Sequence, residues 1–360
     1  MKLLICTQKV DKEDDILGFF HSWLIDFAKN AEKITVICLE KGIVELPKNV
    51  EVFSLGKEKV DSGFMIYDSR IIQKIKYALV FWKYIWQKRS EYDTVFVHMN
   101  KEYILLGAPV WFIFYKKIVF WYNHKVGTVG ARIAGFLSDK ILYTGDQSFF
   151  ADHFKSEKMP VGIDENLFKK NLNVIPSENS FLYIGRISPV KNLDVLIDAA
   201  KLLLDYGCDF KISIYGGFSD KDKFYYEAIR EKAKSLEENK RVVFEGAVPN
   251  YKTPEIFERH EFAVNMTLGG SLDKTIFEAM AFEMPVISAN QSMKNIWTKE
   301  QCDKLLVTEK NPKELALKMK SLINSAAGDN AALGKSLREI AVQNHSLSKL
   351  SEKLFKIFRT

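Results

Sequence analysis

Arg186 and Lys191 stand five residues apart in the stretch GRISPVKN, directly after the apolar run FLYIG and directly before a helix-like segment. A guanidinium and an ammonium at the end of a strand, in front of a helix N-terminus, are the groups a diphosphate needs. Arg offers planar bidentate contact and Lys a point charge. Ordinary loop cations are the alternative reading of this stretch alone. A second stretch, MTLGGSLDKTIFEAMAFEMPVI from Met266 to Ile287, runs from a Gly-Gly pair through Ser271, a suitable N-cap, into a helix-like segment. At about 100° per residue Ser271, Lys274, Thr275 and Glu278 share one face, while Leu272, Ile276, Ala279 and Met280 lie opposite and face a core. A Gly-rich turn entering a helix leaves backbone N–H groups aimed at an anion. A capped helix with a solvated face is the competing reading. Two such helix starts in one half of the chain point jointly to a nucleotide diphosphate.

Other chemistry-bearing residues are weaker candidates. Asp220 and Asp222 form a D-x-D string, the type a divalent metal uses, but in the lysine-rich SDKDK they read as a solvated loop. His21 in GFFHSW and His98 in VFVHMN read as structural histidines, since a lone His needs a positioned partner to act as a base. His124 follows a strand end in FWYNHK, where an α/β sheet presents its ligand-binding groups. Cys6, Cys38, Cys208 and Cys302 are far apart with no C-x-x-C pair, which fits reduced thiols and neither a zinc site nor a disulfide framework.

The elements that must carry these residues alternate. KLLIC, KITVICL, VEVFSL, DTVFVH, KIVFWY and DKILYTG read as strands, with GFFHSWLIDFAKN and Arg70 to Lys88 as helices between them. Residues 156–180, rich in Pro, Asn and Ser, interrupt the pattern and read as a linker. Alternation resumes with SFLYIGRI, a helix over 192–206 stopped by Gly207, FKISIYGG, a helix near 223–238, RVVFEG, FAVNMT, the 271 helix, PVISA and KLLVT, with tail helices at 312–325 and 345–358. The fold class is therefore α/β, two doubly wound halves whose ligands bind beyond the carboxyl ends of the strands.

The 360 residues, 47% apolar and 27% charged, are ordinary globular composition for two domains. The net charge of +6 has an address: residues 66–125 hold ten Lys or Arg against four Asp or Glu, a surplus equal to that of the whole chain. In the helix over 70–88, Ile72, Ile75, Leu79, Trp82 and Trp86 read as the buried stripe. The other side sets Lys76, Lys83 and Lys88 among Tyr77, Val80, Phe81 and Tyr84, a mixture that suits an anionic membrane surface. No nucleic-acid motif accompanies the charge, and nucleic acid is not an expected partner. The N-terminal apolar run is too short for a secretory segment, and ILLGAPVWFIFY is too short to span a bilayer. The expected location is cytoplasmic, peripheral on the membrane face.

The order FLYIGRISPVKNLDVLIDAAKLL, ISIYGG, VVFEGAV and FAVNMTLGGSLDKTIFEAMAFEMPVI, preceded by MPVGIDENLF, resembles glycosyltransferase family 4, the retaining nucleotide-sugar transferases of GT-B fold. The resemblance spans residues 160–345 with several motifs in register. Over 1–159 it rests on strand order, Gly18 and WYNH. It implies two facing Rossmann-like domains, 1–159 on the acceptor side and 181–344 on the donor side, joined by 160–180, with the helix 345–360 crossing back onto the first. It implies that Arg186 and Lys191 hold the donor diphosphate, that Glu278 takes the ribose hydroxyls and that Val248 borders the base. Gly18 would approach the diphosphate and His124 would line the sugar. Gly270 stands where the family has the first Glu of its Glu, seven residues, Glu motif. The amides of Gly270, Ser271 and Leu272 would then meet phosphate, with Lys274 adding charge and Asp273 binding sugar hydroxyls. The implied reaction moves a sugar from a UDP- or GDP-linked donor to a hydroxyl, lipid-linked or on a growing surface glycan, with no cofactor or metal. A non-catalytic sugar-nucleotide-binding scaffold on the same fold is the alternative.

Overall fold

Apolar, β-branched runs of four to six residues are what a sheet covered on both faces selects, and all the strands here pair in parallel. The computed structural model describes residues 1–59, 67–171, 173–269 and 272–360, with side chains from residue 71 onward in the helix that begins at Tyr67. The chain divides into two compact units, residues 1–159 with 350–360, and residues 160–349.

The first unit runs β1 (Lys2–Val10), α1 (Phe19–Ala28), β2 (Lys33–Lys41), β3 (Val50–Ser54), α2 (Tyr67–Gln87), β4 (Thr94–His98), α3 (Lys101–Ile113), β5 (Lys117–Trp121), α4 (Val129–Leu137), β6 (Lys140–Tyr143) and β7 (Ser156–Lys158). Its sheet order is β3-β2-β1-β4-β5-β6-β7. The connections β3 to β4, β4 to β5 and β5 to β6 all advance in one direction, so right-handed crossovers put α2, α3 and α4 on one face of the sheet, while α1, running the other way, covers the opposite face. Buried Phe20, Trp23 and Phe27 of α1 pack on that face.

The second unit runs β8 (Ser177–Ile184), α5 (Leu193–Asp205), β9 (Lys211–Tyr215), α6 (Lys223–Glu238), β10 (Val242–Gly246), α7 (Thr253–Phe257), β11 (His260–Asn265), α8 (Lys274–Ala281), β12 (Val286–Ser288), α9 (Lys299–Leu305), α10 (Pro312–Asn324) and α11 (Ala327–His345), in sheet order β10-β9-β8-β11-β12. The last helix, α12 (Leu347–Arg359), joins the first unit from residue 350, with Phe355 against Phe27 and Phe358 against Phe96.

Several local expectations change. On α2 the two faces are exchanged. Phe81, expected outward, is fully buried with Ile85, while Ile72, Ile75, Leu79, Trp82 and Trp86, expected inward, are exposed. Both faces of this helix are apolar, so the 3.6 period fits either orientation, and the ring contacts of Phe81 with Tyr103 and Trp111 decide between them. Phe81 is therefore no surface contact. Lys88 is held by Glu91 at 3.1 Å and Glu51 at 3.6 Å, whereas Lys76 and Lys83 are exposed. KLLVT is no strand: Lys304 and Leu305 end α9, and only Leu306 bridges to Ser288. α11 was not expected, because its sequence lacks a continuous apolar stripe. It is held by close approach instead, since a Cβ on Gly334 would lie 2.0 Å from the Glu283 carbonyl oxygen, and Arg338 donates to the Ala281 and Phe168 carbonyls.

Candidate functional site

In the second unit the chain steps outward from β8 to β9 and β10 on one side, and through β11 to β12 on the other. The two loops that diverge at this reversal leave the carboxyl ends of β8 and β11, where an open parallel sheet binds its ligands. They carry both stretches singled out above, and they meet. The Lys191 ammonium donates to Thr267 Oγ1 at 3.1 Å and forms an ion pair with Asp273. Asn192 Nδ2 donates to the Met266 carbonyl at 3.0 Å. Asn192 adopts the left-handed conformation, φ 48°, as the residue before α5, a conformation Asn tolerates better than most.

Asp273, not Ser271, caps α8: its side chain accepts from the Thr275 amide at 3.2 Å. It also accepts from Thr267 Oγ1 at 2.8 Å and from Thr275 Oγ1 at 3.0 Å. Burial opposes its charged form, but the Lys191 ammonium and these hydrogen bonds outweigh it and hold the carboxyl well below the usual carboxylate range. Asp273 is thus committed to Lys191 and to the helix end. Gly270 and Ser271 lie outside the described residues. Leu272 belongs with Ile276, Ala279 and Met280 to the core of the unit.

Lys274, the first residue of α8, donates to the Gly162 carbonyl at 2.6 Å, and one helical turn on Glu278 is buried with Asn250 Nδ2 3.5 Å from its carboxylate. Burial pushes Glu278 up and Lys274 down, and their mutual attraction works against both shifts. Val248, half-buried, packs on the core in the loop that follows β10.

Arg186 differs from its neighbours. Tyr183 Oη donates to its carbonyl at 3.2 Å, but its Nε and the Ser188 Oγ are buried without a hydrogen-bond partner among the described residues. A buried, unpartnered guanidinium N–H costs free energy that an anion would recover. The loop that holds it depends on glycine. Gly185 and Gly216 have φ 148° and 154°, and a Cβ on Gly216 would lie 2.0 Å from the Gly185 carbonyl oxygen. The sequence signal for this arrangement is a glycine closing FLYIG, ISIYG and VVFEG, one at the end of each of three adjacent strands.

The remaining candidates belong to the first unit or to other loops. Gly18 immediately precedes α1. His124 follows β5, with Tyr122 edge-on at 5.1 Å, and burial, then Lys101, lower its pKa, which favours a neutral imidazole. His21 accepts from the Glu45 amide at 3.0 Å, and His98 stacks on Phe20 at 4.6 Å. Asp222 accepts from Ser219 Oγ at 2.5 Å just before α6, so the D-x-D string is part of a helix start. Among the described residues no group of three His, Cys, Asp or Glu is placed to hold a metal ion, and no helix is long and apolar enough to cross a membrane.

Residues 178–325 match the family described as Glycosyl transferases group 1. D-inositol 3-phosphate glycosyltransferases are similar to part of the chain: that of Rhodococcus opacus (strain B4) is 25% identical over 198 residues, 54% of this chain and 44% of the relative. That of Nocardia farcinica (strain IFM 10152) is 27% identical over 150 residues, 39% and 33% respectively. The matched part is less than half the length of these relatives. Solved structures match throughout. HepE of Anabaena in complex with UDP and glucose superimposes with TM-score 0.77 at 18% identity over 100% of both chains. Sucrose-phosphate synthase from Thermosynechococcus elongatus does so with TM-score 0.78 at 15% identity over 100% of this chain and 98% of that one. The chain thus has the GT-B fold, and its residues 178–325 are similar to the glycosyl transferases of group 1.

Proposed function

We propose that this protein is a retaining, metal-independent glycosyltransferase that moves a sugar from a UDP- or GDP-linked donor to a hydroxyl acceptor. The observation that carries the reading is Arg186, a guanidinium whose buried Nε has no hydrogen-bond partner among the described residues, at the carboxyl end of β8 beside a lysine fixed by the facing loop. Cleaving the anomeric C–O bond builds negative charge on the departing diphosphate. Arg186 and Lys191, held by the fold before reaction, would stabilise that charge without reorganisation, and this is the electrostatic contribution the reaction needs most. The resemblance to family 4 supports retention of configuration and the roles of Glu278 at the ribose and Val248 at the base. UDP in the Anabaena structures supports a uridine donor over a guanosine one.

Calorimetric titration with UDP, GDP and ADP, beside Arg186→Ala, tests this. UDP should bind the wild type. The variant should bind at least about 100-fold more weakly, the worth of a charge-assisted hydrogen-bonding group at a phosphate, with a thermal transition close to wild type. Failure of every nucleotide to bind, or equal binding by the variant, would overturn the assignment of the site.

A further inference from the structure

Helices α2, α3 and α4 form one layer on the sheet of the first unit. Their inner faces carry its core residues Phe81, Ile85, Ile104, Trp111, Ala131 and Ala134. A layer of this kind ordinarily shows charged and polar side chains on its outer face. Here each outer face repeats an apolar stripe at helical spacing: Ile72, Ile75, Leu79, Trp82 and Trp86 on α2, Leu105 and Phe112 on α3, and Val129, Ile133 and Phe136 on α4. The stripes are adjoining: Trp82 Nε1 donates to the Leu106 carbonyl at 2.8 Å, Trp86 meets Phe114 edge-on at 5.4 Å, and a Cβ on Gly130 of α4 would lie 3.5 Å from Leu105 Cδ1 of α3. Exposure is substantial, 56% for Leu79, 49% for Trp86 and 78% for Phe136. Scattered exposed apolar residues need no explanation, but three adjoining stripes do.

The charge on this layer is mainly positive. From Ile71 to Gln87 and from Val129 to Leu137 there is no Asp or Glu, and the one acidic residue of α3, Glu102, is paired with Lys101 at 3.0 Å. Lys76 and Lys83 flank the α2 stripe, Arg89 lies over the rings of Trp86 and Phe114, and Lys155 lies over those of Phe136 and Phe154. Cations whose stems lie along exposed aromatic rings are the side-chain chemistry of the bilayer interface, where ring and stem enter the acyl boundary and the charge meets lipid phosphate. We infer that the outer face of α2, α3 and α4 docks the protein on an anionic lipid bilayer, with Trp82 and Trp86 inserted and Lys76, Lys83, Arg89 and Lys155 at the headgroups. A second copy of the chain would bring the same cations, none of them paired with a carboxylate among the described residues, against one another, which disfavours it as the occupant. The inference is independent of the proposed chemistry, because it uses no residue of the second unit.

Flotation of the full chain with phosphatidylglycerol-containing vesicles, beside pure phosphatidylcholine, is the test. The protein should float with the anionic vesicles, and its fluorescence should shift to the blue and be quenched by brominated acyl chains, since Trp82 and Trp86 are exposed while the four other tryptophans are buried. The double variant Leu79→Glu, Trp82→Glu should lose at least about tenfold in vesicle partition, by removing inserted apolar area and adding like charge. Lys76→Glu with Lys83→Glu, which removes no apolar contact, should lower binding to the anionic vesicles alone, so the inference stays testable if the first variant folds poorly. No flotation of the wild type, flotation of both double variants equal to wild type, or a wild-type dimer in sedimentation that the first variant dissociates would each overturn it.

Discussion

Replacing Asp273 by Asn separates two roles that the structure gives one side chain. Asn is as good an N-cap as Asp, so the capping contact to Thr275 should survive. The charge that offsets Lys191 is lost. Removing one partner of a buried ion pair costs about 3–5 kcal/mol, and because the side chains of Asp273 and Lys191 retain 10% and 20% exposure, the lower end, about 3 kcal/mol, applies. Asp273→Ala should cost about 1 kcal/mol more, the worth of the cap. With a urea dependence of about 2 kcal/mol per molar, about 3 kcal/mol moves the unfolding midpoint by roughly 1.5 M. Two units can unfold separately, so the assay is urea unfolding read by hydrogen exchange on peptides from β8 and α8, which report the second unit alone. The folded-state carboxyl is depressed below its ordinary 3.8, so its contribution is full above that value and is lost as pH falls through the folded pKa. The difference between wild type and variant should therefore be constant from neutral pH down to about 5 and shrink in stronger acid. Nucleotide binding should move the other way. With Asp273 neutralised, no carboxylate among the described residues is paired with Lys191, so UDP should bind the variant at least as tightly as the wild type. An unchanged midpoint would refute the argument that the pair is a stabilising buried contact. A full loss of UDP binding with the fold intact would show that Asp273 itself contacts ligand.

Two further outcomes follow from the same site. Glu278 has its carboxyl raised by burial to about 7, so UDP affinity should rise with pH through that range as the carboxylate forms to accept ribose hydroxyls, and Glu278→Gln should flatten the profile. Stability should run opposite, because a carboxyl raised on folding loses its stabilising effect as pH climbs from its ordinary 4.5 towards 7. A flat wild-type binding profile would remove Glu278 from the ribose role. Gly216→Ala should cost about 3 kcal/mol and lower UDP affinity at least about tenfold, since its Cβ would collide with the Gly185 carbonyl and shift the loop that holds Arg186. A crystal structure of that variant with the loop unmoved, or an unaltered UDP isotherm, would contradict the coupling.

Sequence alone determined much of this protein. Strand positions were legible because strands buried on both faces read as continuous apolar runs, and parallel pairing follows from their alternation with helices. Arg186, Lys191 and Glu278 were legible because each lies just past a strand or on a helix whose opposite face, Leu272, Ile276 and Met280, is plainly core. Tertiary structure decided the rest, for physical reasons that can be named. Which apolar face of α2 turns inward is invisible to a period that both faces satisfy, and the packing of Phe81 on Tyr103 and Trp111 settles it. The helix α11 depends on a backbone approach at Gly334 that no local pattern encodes. The pairing of Lys191 with Asp273 joins residues 82 positions apart. Only the reversal of strand order between β8 and β11 brings that lysine and carboxylate together, leaving Arg186 as the cation without a protein carboxylate among the described residues.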